Sequence, residues 1–437
     1  MAQHTDGSKK IVFLTGAGAS VEAGVCTSEK ITDILVNYSS YCPTDDSVAV
    51  ENALRYVQLR IADHLQVRAA DVNFEYILGA LAELVERDKY PVMPLFGEGD
   101  SVIKKLESRL ALDDVISRLY ALLRELLFLR QPVDYLHPLK AFLGLSKPLD
   151  IFTLNYDLSL ETAFEGISYT TGYRKRKEGL PIWDPAEFDV SMYDVRLFKL
   201  HGSLNWGRLF RQPPPPTLTG PTGSAVHDAE RYIAAFPESV EFDPYPLGFV
   251  EPPSRTKGMV SLMNFGTRKD QLYALGQLTI LFDRFLKALG EARICVVAGY
   301  SFRDDRINGM IEEEVVSRRG DLHLVVVDPR AYRILDDNLV LRECVARLKW
   351  GTAVHKTLGE VLKDSSLMTL VSDRLNAASP ASQPLPYLSA EHQDDAEPSK
   401  TVNPQIVLEA WRAFGITCGL AYFWVRFLAP RLTELEQ

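Results

Sequence analysis

Five short apolar runs punctuate the chain, and each gives way to small or polar residues. Ile11-Val12-Phe13-Leu14 leads into Thr15-Gly16-Ala17-Gly18-Ala19-Ser20, and Leu149-Asp150-Ile151-Phe152-Thr153-Leu154, after a break at Lys147-Pro148, leads into Asn155-Tyr156-Asp157. Val195-Arg196-Leu197-Phe198-Lys199-Leu200 leads into His201-Gly202-Ser203. Arg293 to Ala298 leads into Gly299-Tyr300-Ser301, and Leu322 to Val327 into Asp328. Runs of this length bounded by glycine, proline or turn formers read as strands, that from Leu149 with a buried character and that from Val195 alternating. Between them apolar residues recur at helical spacing in Phe74 to Val85, Val115 to Leu129, Asp270 to Leu289 and Asp305 to Ser317. Strands alternating with helices predict an α/β fold with a doubly wound parallel sheet. A helical insertion of about residues 30–146 is expected to cap it.

The residues just past these strands are the ones able to do chemistry. In an open parallel sheet the carboxyl ends of the strands form the ligand crevice. The turn Gly16-Ala17-Gly18-Ala19-Ser20, with Ala23-Gly24 following, places backbone N–H groups where a helix opens, an arrangement suited to phosphate. Its spacing departs from G-x-G-x-x-G, because Val21 stands at the third glycine. A tight turn whose glycines serve geometry alone is the competing account. Asn155 and Asp157 have a bland alternative as helix caps, and His201 as a hydrogen-bonded turn histidine. For Asn73, Glu75 and Tyr76, at the start of a cap helix, the expectation is an asparagine N-cap and an apolar stripe rather than catalysis.

Taken in order, Gly-Ala-Gly-x-Ser, Thr-x-Asn-x-Asp (Thr153 to Asp157), Leu-His-Gly-Ser (Leu200 to Ser203) and Gly-Tyr-Ser (Gly299 to Ser301) resemble the sirtuin superfamily of NAD-consuming proteins over roughly residues 9–330. Gly299-Tyr300-Ser301-Phe302 with Asp304-Asp305, and Glu251-Pro252-Pro253-Ser254-Arg255-Thr256-Lys257, are similar to the bacterial sirtuin-like branch that hydrolyses NAD in antiviral defence. The resemblance implies a Rossmann-like fold and NAD as substrate. Two departures separate the chain from the deacylases. Val25-Cys26-Thr27-Ser28 replaces their Pro-Asp-Phe-Arg, and the two Cys-x-x-Cys pairs of their zinc module are missing. Cys26, Cys42, Cys295, Cys344 and Cys418 are scattered singly, so neither a zinc domain nor a disulfide framework is expected, and no metal.

In the resemblance, Asn155 orients water and the nicotinamide ribose, and His201 accepts a proton from water or a ribose hydroxyl, as an imidazole with an ordinary pKa near ~6.5 can. The N–H groups near Ala17 and Gly18, with the Ser20 hydroxyl, would hold the diphosphate, and Gly16 belongs to the same cofactor-binding turn. Gly299 and Ser301 would contact the adenosine side, Asp328 its ribose, and Asp157 the catalytic loop or a ribose hydroxyl. The expected reaction is cleavage of the nicotinamide–ribose bond to nicotinamide and ADP-ribose. An NAD-dependent protein deacylase and a non-catalytic NAD- or ADP-ribose-binding assembly subunit are the alternatives.

Composition alters little in this picture. Of 437 residues, 46% are hydrophobic and 24% charged, enough for a sizeable core, and the net charge of −10 offers no general attraction to nucleic acid. The dense basic run Arg174-Lys175-Arg176-Lys177 reads as a solvated turn, and the prolines Pro213 to Pro216 as an exposed loop. Residues 1–8 contain no apolar signal core, and the cysteines suit a reducing compartment, so the expectation is cytoplasmic. Residues 1–375 are expected to form the NAD-binding catalytic domain, 376–404 a linker, and 405–437 an apolar helix. Glu409, Arg412 and Arg426 interrupt that helix, which argues for packing or homo-oligomerisation rather than a membrane span. The resemblance also allows a separate hexameric ATPase partner of the HerA-like kind.

Overall fold

The computed structural model describes residues 10–86, 111–174, 182–208, 241–242, 260–263, 276–336 and 338–377. Several expectations lie outside the described residues. These are the proline loop, Lys175 to Lys177, Glu251 to Lys257, the linker beyond 377 and the apolar helix near the carboxyl terminus.

Twelve strands are described: β1 (Lys10–Thr15), β2 (Leu149–Thr153), β3 (Tyr169–Thr170), β4 (Tyr173–Arg174), β5 (Ile182–Trp183), β6 (Val195–Lys199), β7 (Gly202–Arg208), β8 (Glu241–Phe242), β9 (Val260–Met263), β10 (Ala292–Ala298), β11 (His323–Val327) and β12 (Gly351–Val354). Seven of them form one parallel sheet in the order β12-β11-β10-β1-β2-β6-β3. This is the doubly wound α/β architecture expected. β4 and β5 form an antiparallel pair, and β8-β7-β9 a separate antiparallel sheet.

Between β1 and β2 the described chain passes through α1 (Ser28–Val36), α2 (Tyr38–Tyr41), α3 (Ser47–Leu65), α4 (Phe74–Glu86) and α5 (Leu112–Leu126). Asn73 opens α4 as a cap, its Oδ1 accepting from the N–H groups of Glu75 (3.0 Å) and Tyr76 (3.3 Å). The short α6 (Ser159–Ala163) follows β2. Toward the carboxyl terminus lie α7 (Gly276–Glu291), α8 (Asp305–Ser317), α9 (Leu339–Ala346), α10 (Leu358–Lys363) and α11 (Ser366–Asn376).

Strand pleat divides the interior in two. Ile11 and Phe13 of β1 enter a core shared with α1, α3, α4, α5, α10 and α11, whereas Val12 and Leu14 enter a second core shared with α7, α8 and α9. With both faces of the sheet covered, every residue of β1 after Lys10 is buried, which is why the run from Ile11 to Leu14 does not alternate. In the second core Phe198 stacks at 4.3 Å on both Phe152 and Phe188, an offset aromatic column that fixes β2 against β6.

One buried acid makes stability depend on pH. Glu312 of α8 accepts a 2.6 Å hydrogen bond from Asn338 Nδ2, and burial pushes its pKa up to about 7. Between the ordinary glutamate value and pH 7 the folded chain therefore holds a proton that the unfolded chain has released. Stability falls as pH rises through that window, by on the order of 2–3 kcal/mol. Glu312→Gln keeps an amide oxygen for Asn338 but has nothing to ionise. The variant is expected to melt higher than the parent at pH 8 and at the same temperature near pH 4.5; equal melting at both would remove the assignment.

Candidate functional site

Register lines up the strand ends. Thr15 pairs with Ala298 on one side and Thr153 on the other, Thr153 with Lys199, and Ala298 with Val327. Gly16, Asn155, His201, Gly299 and Asp328 therefore leave the sheet along one edge, each one or two residues past its strand. From β1 the chain winds outward through β2, then returns to β10 on the opposite side and winds away through β11. The switch point of the sheet thus falls between β1 and β10, where an open α/β sheet forms its crevice.

The floor of that crevice is two turns in backbone contact. Gly299 lies at φ +62°, and a Cβ there would fall 2.3 Å from the Ala19 nitrogen and 2.5 Å from the Gly18 carbonyl carbon. A Cβ on Gly16 would come within 2.7 Å of the Gly299 oxygen. The glycines therefore serve close approach of backbone to backbone as well as turn geometry. Two expectations about this turn need correction. The Gly18 N–H donates to the Gly299 carbonyl at 2.8 Å and so already has an internal acceptor. The helix that follows is a seven-residue 3-10 segment, Ala17–Ala23, rather than a regular α-helix, and its short dipole adds little for an anion. Ala17 and Gly18 are the exposed residues of the turn, whereas Gly16, Ala19 and Ser20 are buried. Tyr135 ties the turn down through a 2.7 Å bond to the Ala19 carbonyl, and burial keeps its phenol pKa well above the ordinary value, so the hydroxyl stays a donor.

Asn155 is built into the same turn. Its Nδ2 donates to the Gly16 carbonyl and to Ser20 Oγ, both at 2.9 Å, and its own N–H donates to Thr153 Oγ1 at 3.0 Å. Ser20 Oγ also lies 3.1 Å from Ser159 Oγ. That hydroxyl, 1% exposed, was expected on the diphosphate; here it is engaged by the Asn155 amide and the Ser159 hydroxyl. Both amide hydrogens of Asn155 are thereby committed, which fixes the plane of the group and leaves its oxygen as the atom able to receive a ligand donor. The side chain does not cap a helix. Asp157, 3% exposed, takes the role of an entry turn, its Oδ1 accepting from the Ser159 N–H at 3.0 Å.

Beneath these groups sits an ion pair that the sequence pattern did not reveal. Lys199, the last residue of β6, is 1% exposed and donates from Nζ to Glu161 Oε1 at 2.8 Å and to the Asp157 carbonyl at 2.5 Å. One cation thus joins the end of β6, the loop after β2 and α6. Leu204 N–H donates to the Tyr156 carbonyl at 2.8 Å and secures the loop from the far side.

His201, 4% exposed, stands at the pivot where β6 ends and β7 begins, next to Gly202 at φ +86°. Its Nε2 lies 3.2 Å from Asp304 Oδ2. Asp304 caps α8, with Oδ1 accepting from the N–H groups of Arg306 (3.1 Å) and Ile307 (3.2 Å). The pairing joins residues 103 apart and had no local signal beyond an aspartate one position before a predicted helix. Asp328 follows β11, half-buried, with Oδ1 accepting from Arg330 N–H at 2.8 Å, and Ser301 is exposed on the turn after β10.

A surface depression of about 510 Å³, lined among others by Asp134, His137, Lys140 and Glu165, shares no residue with this set. Among the described residues no group of three or more His, Cys, Asp or Glu side chains could hold a metal ion, and no helix is long and apolar enough to cross a membrane.

No protein-family model matches the chain, and no curated protein matches it. Among solved structures the chain is similar to a triple mutant of a Sir2 homologue in complex with 2′-O-acetyl ADP ribose, at 17% identity and a TM-score of 0.39 over 85% of this chain and 94% of that one. It is also similar to a Sir2 homologue in complex with NAD, at 16% identity and a TM-score of 0.37 over 84% and 91% of the two chains. A Sir2 homologue mutant in complex with ADP ribose follows at 15% identity and a TM-score of 0.36, over 85% and 95%.

Proposed function

We propose that the chain is an NAD hydrolase that cleaves the nicotinamide–ribose bond, with Asn155 and His201 as its catalytic residues. The observation that carries this reading is the fixed amide of Asn155, bolted to the glycine turn on one side and presented on the same sheet edge as the His201 imidazole. The exposed Ala17-Gly18 corner, with the Ala17 amide, takes the diphosphate. Gly299 and Ser301 line the adenosine side and Asp328 meets its ribose. Asp157 holds the catalytic loop in place.

In this reaction the C1′–N bond breaks and its electron pair goes to the pyridinium nitrogen, which becomes neutral, so the leaving group needs no acid. Positive charge grows on the ribose as in glycoside cleavage. The Asn155 oxygen orients the attacking water, a new C1′–O bond forms, and His201 takes the proton that water releases. Nicotinamide and ADP-ribose are the products. The antiviral role, a homo-oligomeric state and a HerA-like ATPase partner belong to the same proposal and rest on the sequence resemblance and on the apolar segment beyond residue 405.

Purified chain incubated with NAD, with and without an acyl-lysine peptide, tests the assignment when products are separated chromatographically. Free ADP-ribose without peptide is expected. Turnover only with peptide would make the chain a deacylase, and binding of unchanged NAD would make it a sensor or assembly subunit.

A further inference from the structure

We infer that Asp304 is a positioning residue for His201, an inference that rests on the NAD-hydrolase reading of this site. A carboxylate only accepts hydrogen bonds, so the 3.2 Å contact calls for the proton on Nε2, and in the neutral imidazole the lone pair then belongs to Nδ1. The same carboxylate is anchored through Oδ1 to the first turn of α8. His201 is therefore oriented by a helix end on the far side of the switch point, reached through the turn after β10.

That turn is built to hold Asp304 still. Tyr300 Oη accepts from the Asp304 N–H at 3.1 Å and lies 2.8 Å from Asn308 Oδ1, while Asn308 Nδ2 donates to the Phe302 carbonyl at 2.9 Å. Tyr300 and Asn308 are buried, and Phe302 is held at φ +54°, a conformation that a bulky residue adopts only where its surroundings impose it. From the loop after β2, the Tyr156 ring stands with its centre 6.3 Å from that of the imidazole. A helix cap alone would require neither the second carboxylate oxygen nor a locked turn. The pair also joins the two halves of the sheet: the cap of α8, the helix that follows β10, and the imidazole that follows β6 share a hydrogen bond.

Asp304→Asn tests this, because asparagine caps a helix as well as aspartate does. His201 would be titrated by NMR in the full chain, with His201→Gln assigning the resonance, and kcat and KM for NAD measured against pH in the same proteins. The expected results are a His201 midpoint lower by about one pH unit, since an anion within hydrogen-bond reach favours the imidazolium, and kcat lower by about 100-fold with little change in KM. Asp304→Glu should recover part of both. An unmoved midpoint, or an unchanged kcat, overturns the inference. The NMR arm keeps the two readings distinct. A parent chain that leaves NAD intact while its midpoint responds to Asp304→Asn would sink the hydrolase assignment and keep the pairing, and a parent that cleaves NAD beside an indifferent variant would do the reverse.

Discussion

His201→Ala is expected to lower NAD turnover by about 10²–10⁴-fold while the protein stays folded. The imidazole stands at the end of β6, after the strand register is already set by Val195, Leu197 and Phe198, so its loss removes no apolar anchor of the sheet. The hydrogen bond to Asp304 is lost, but the Oδ1 bonds that cap α8 remain. Asn155→Ala is expected to lower NAD turnover equally and to be less stable, because the Gly16 carbonyl and Ser20 hydroxyl both lose a donor, at about 1–3 kcal/mol. Measuring ADP-ribose formation beside urea unfolding separates the two contributions. A His201→Ala protein that consumes NAD at the parent rate would refute the catalytic assignment, and an Asn155→Ala protein as stable as the parent would refute the bracing role.

Lys199→Met carries the largest expected cost in stability. Methionine fills much of the space of the lysine stem, but it leaves the Glu161 carboxylate buried at 1% exposure without its cation. Removing one partner of such a pair costs about 3–5 kcal/mol, much more than an exposed pair. The double change Lys199→Met with Glu161→Leu should recover most of that loss, since two apolar side chains leave no uncompensated charge. A shift of the urea midpoint for the single variant, largely reversed in the double, is the expected pattern. A single variant within about 1 kcal/mol of the parent would show that the pair contributes nothing, against the ordinary behaviour of buried ions. Activity should fall with stability, because the same ammonium holds the Asp157 carbonyl and through it the Asn155 loop.

Much of the architecture was legible along the chain because strands buried on both faces are largely apolar, and small or polar residues follow their ends. The runs at Ile11, Leu149, Val195, Arg293 and Leu322 correspond to β1, β2, β6, β10 and β11, with limits differing by a residue or two. The end of each run marked where polar side chains could gather. Other features were not legible. The turn after β1 is held by Gly299 and by Tyr135, which approach from distant parts of the sequence. Ser20 reads as a ligand hydroxyl in a motif, yet its neighbours Asn155 and Ser159 are more than 130 residues away and claim it. Lys199 looks like an ordinary alternation residue until α6 brings Glu161 beneath it.

The sequence by itself determined the order of strands and helices and which residue types would follow each strand, because periodicity and turn chemistry act over a few residues. Tertiary structure alone decided which of those side chains are left unengaged at the strand ends and which hold one another. Hydrogen-bond partners such as Gly18 with Gly299, Asn155 with Ser20 and His201 with Asp304 meet only when the sheet brings distant strand ends into one row, and a buried donor is satisfied by whatever acceptor that row delivers.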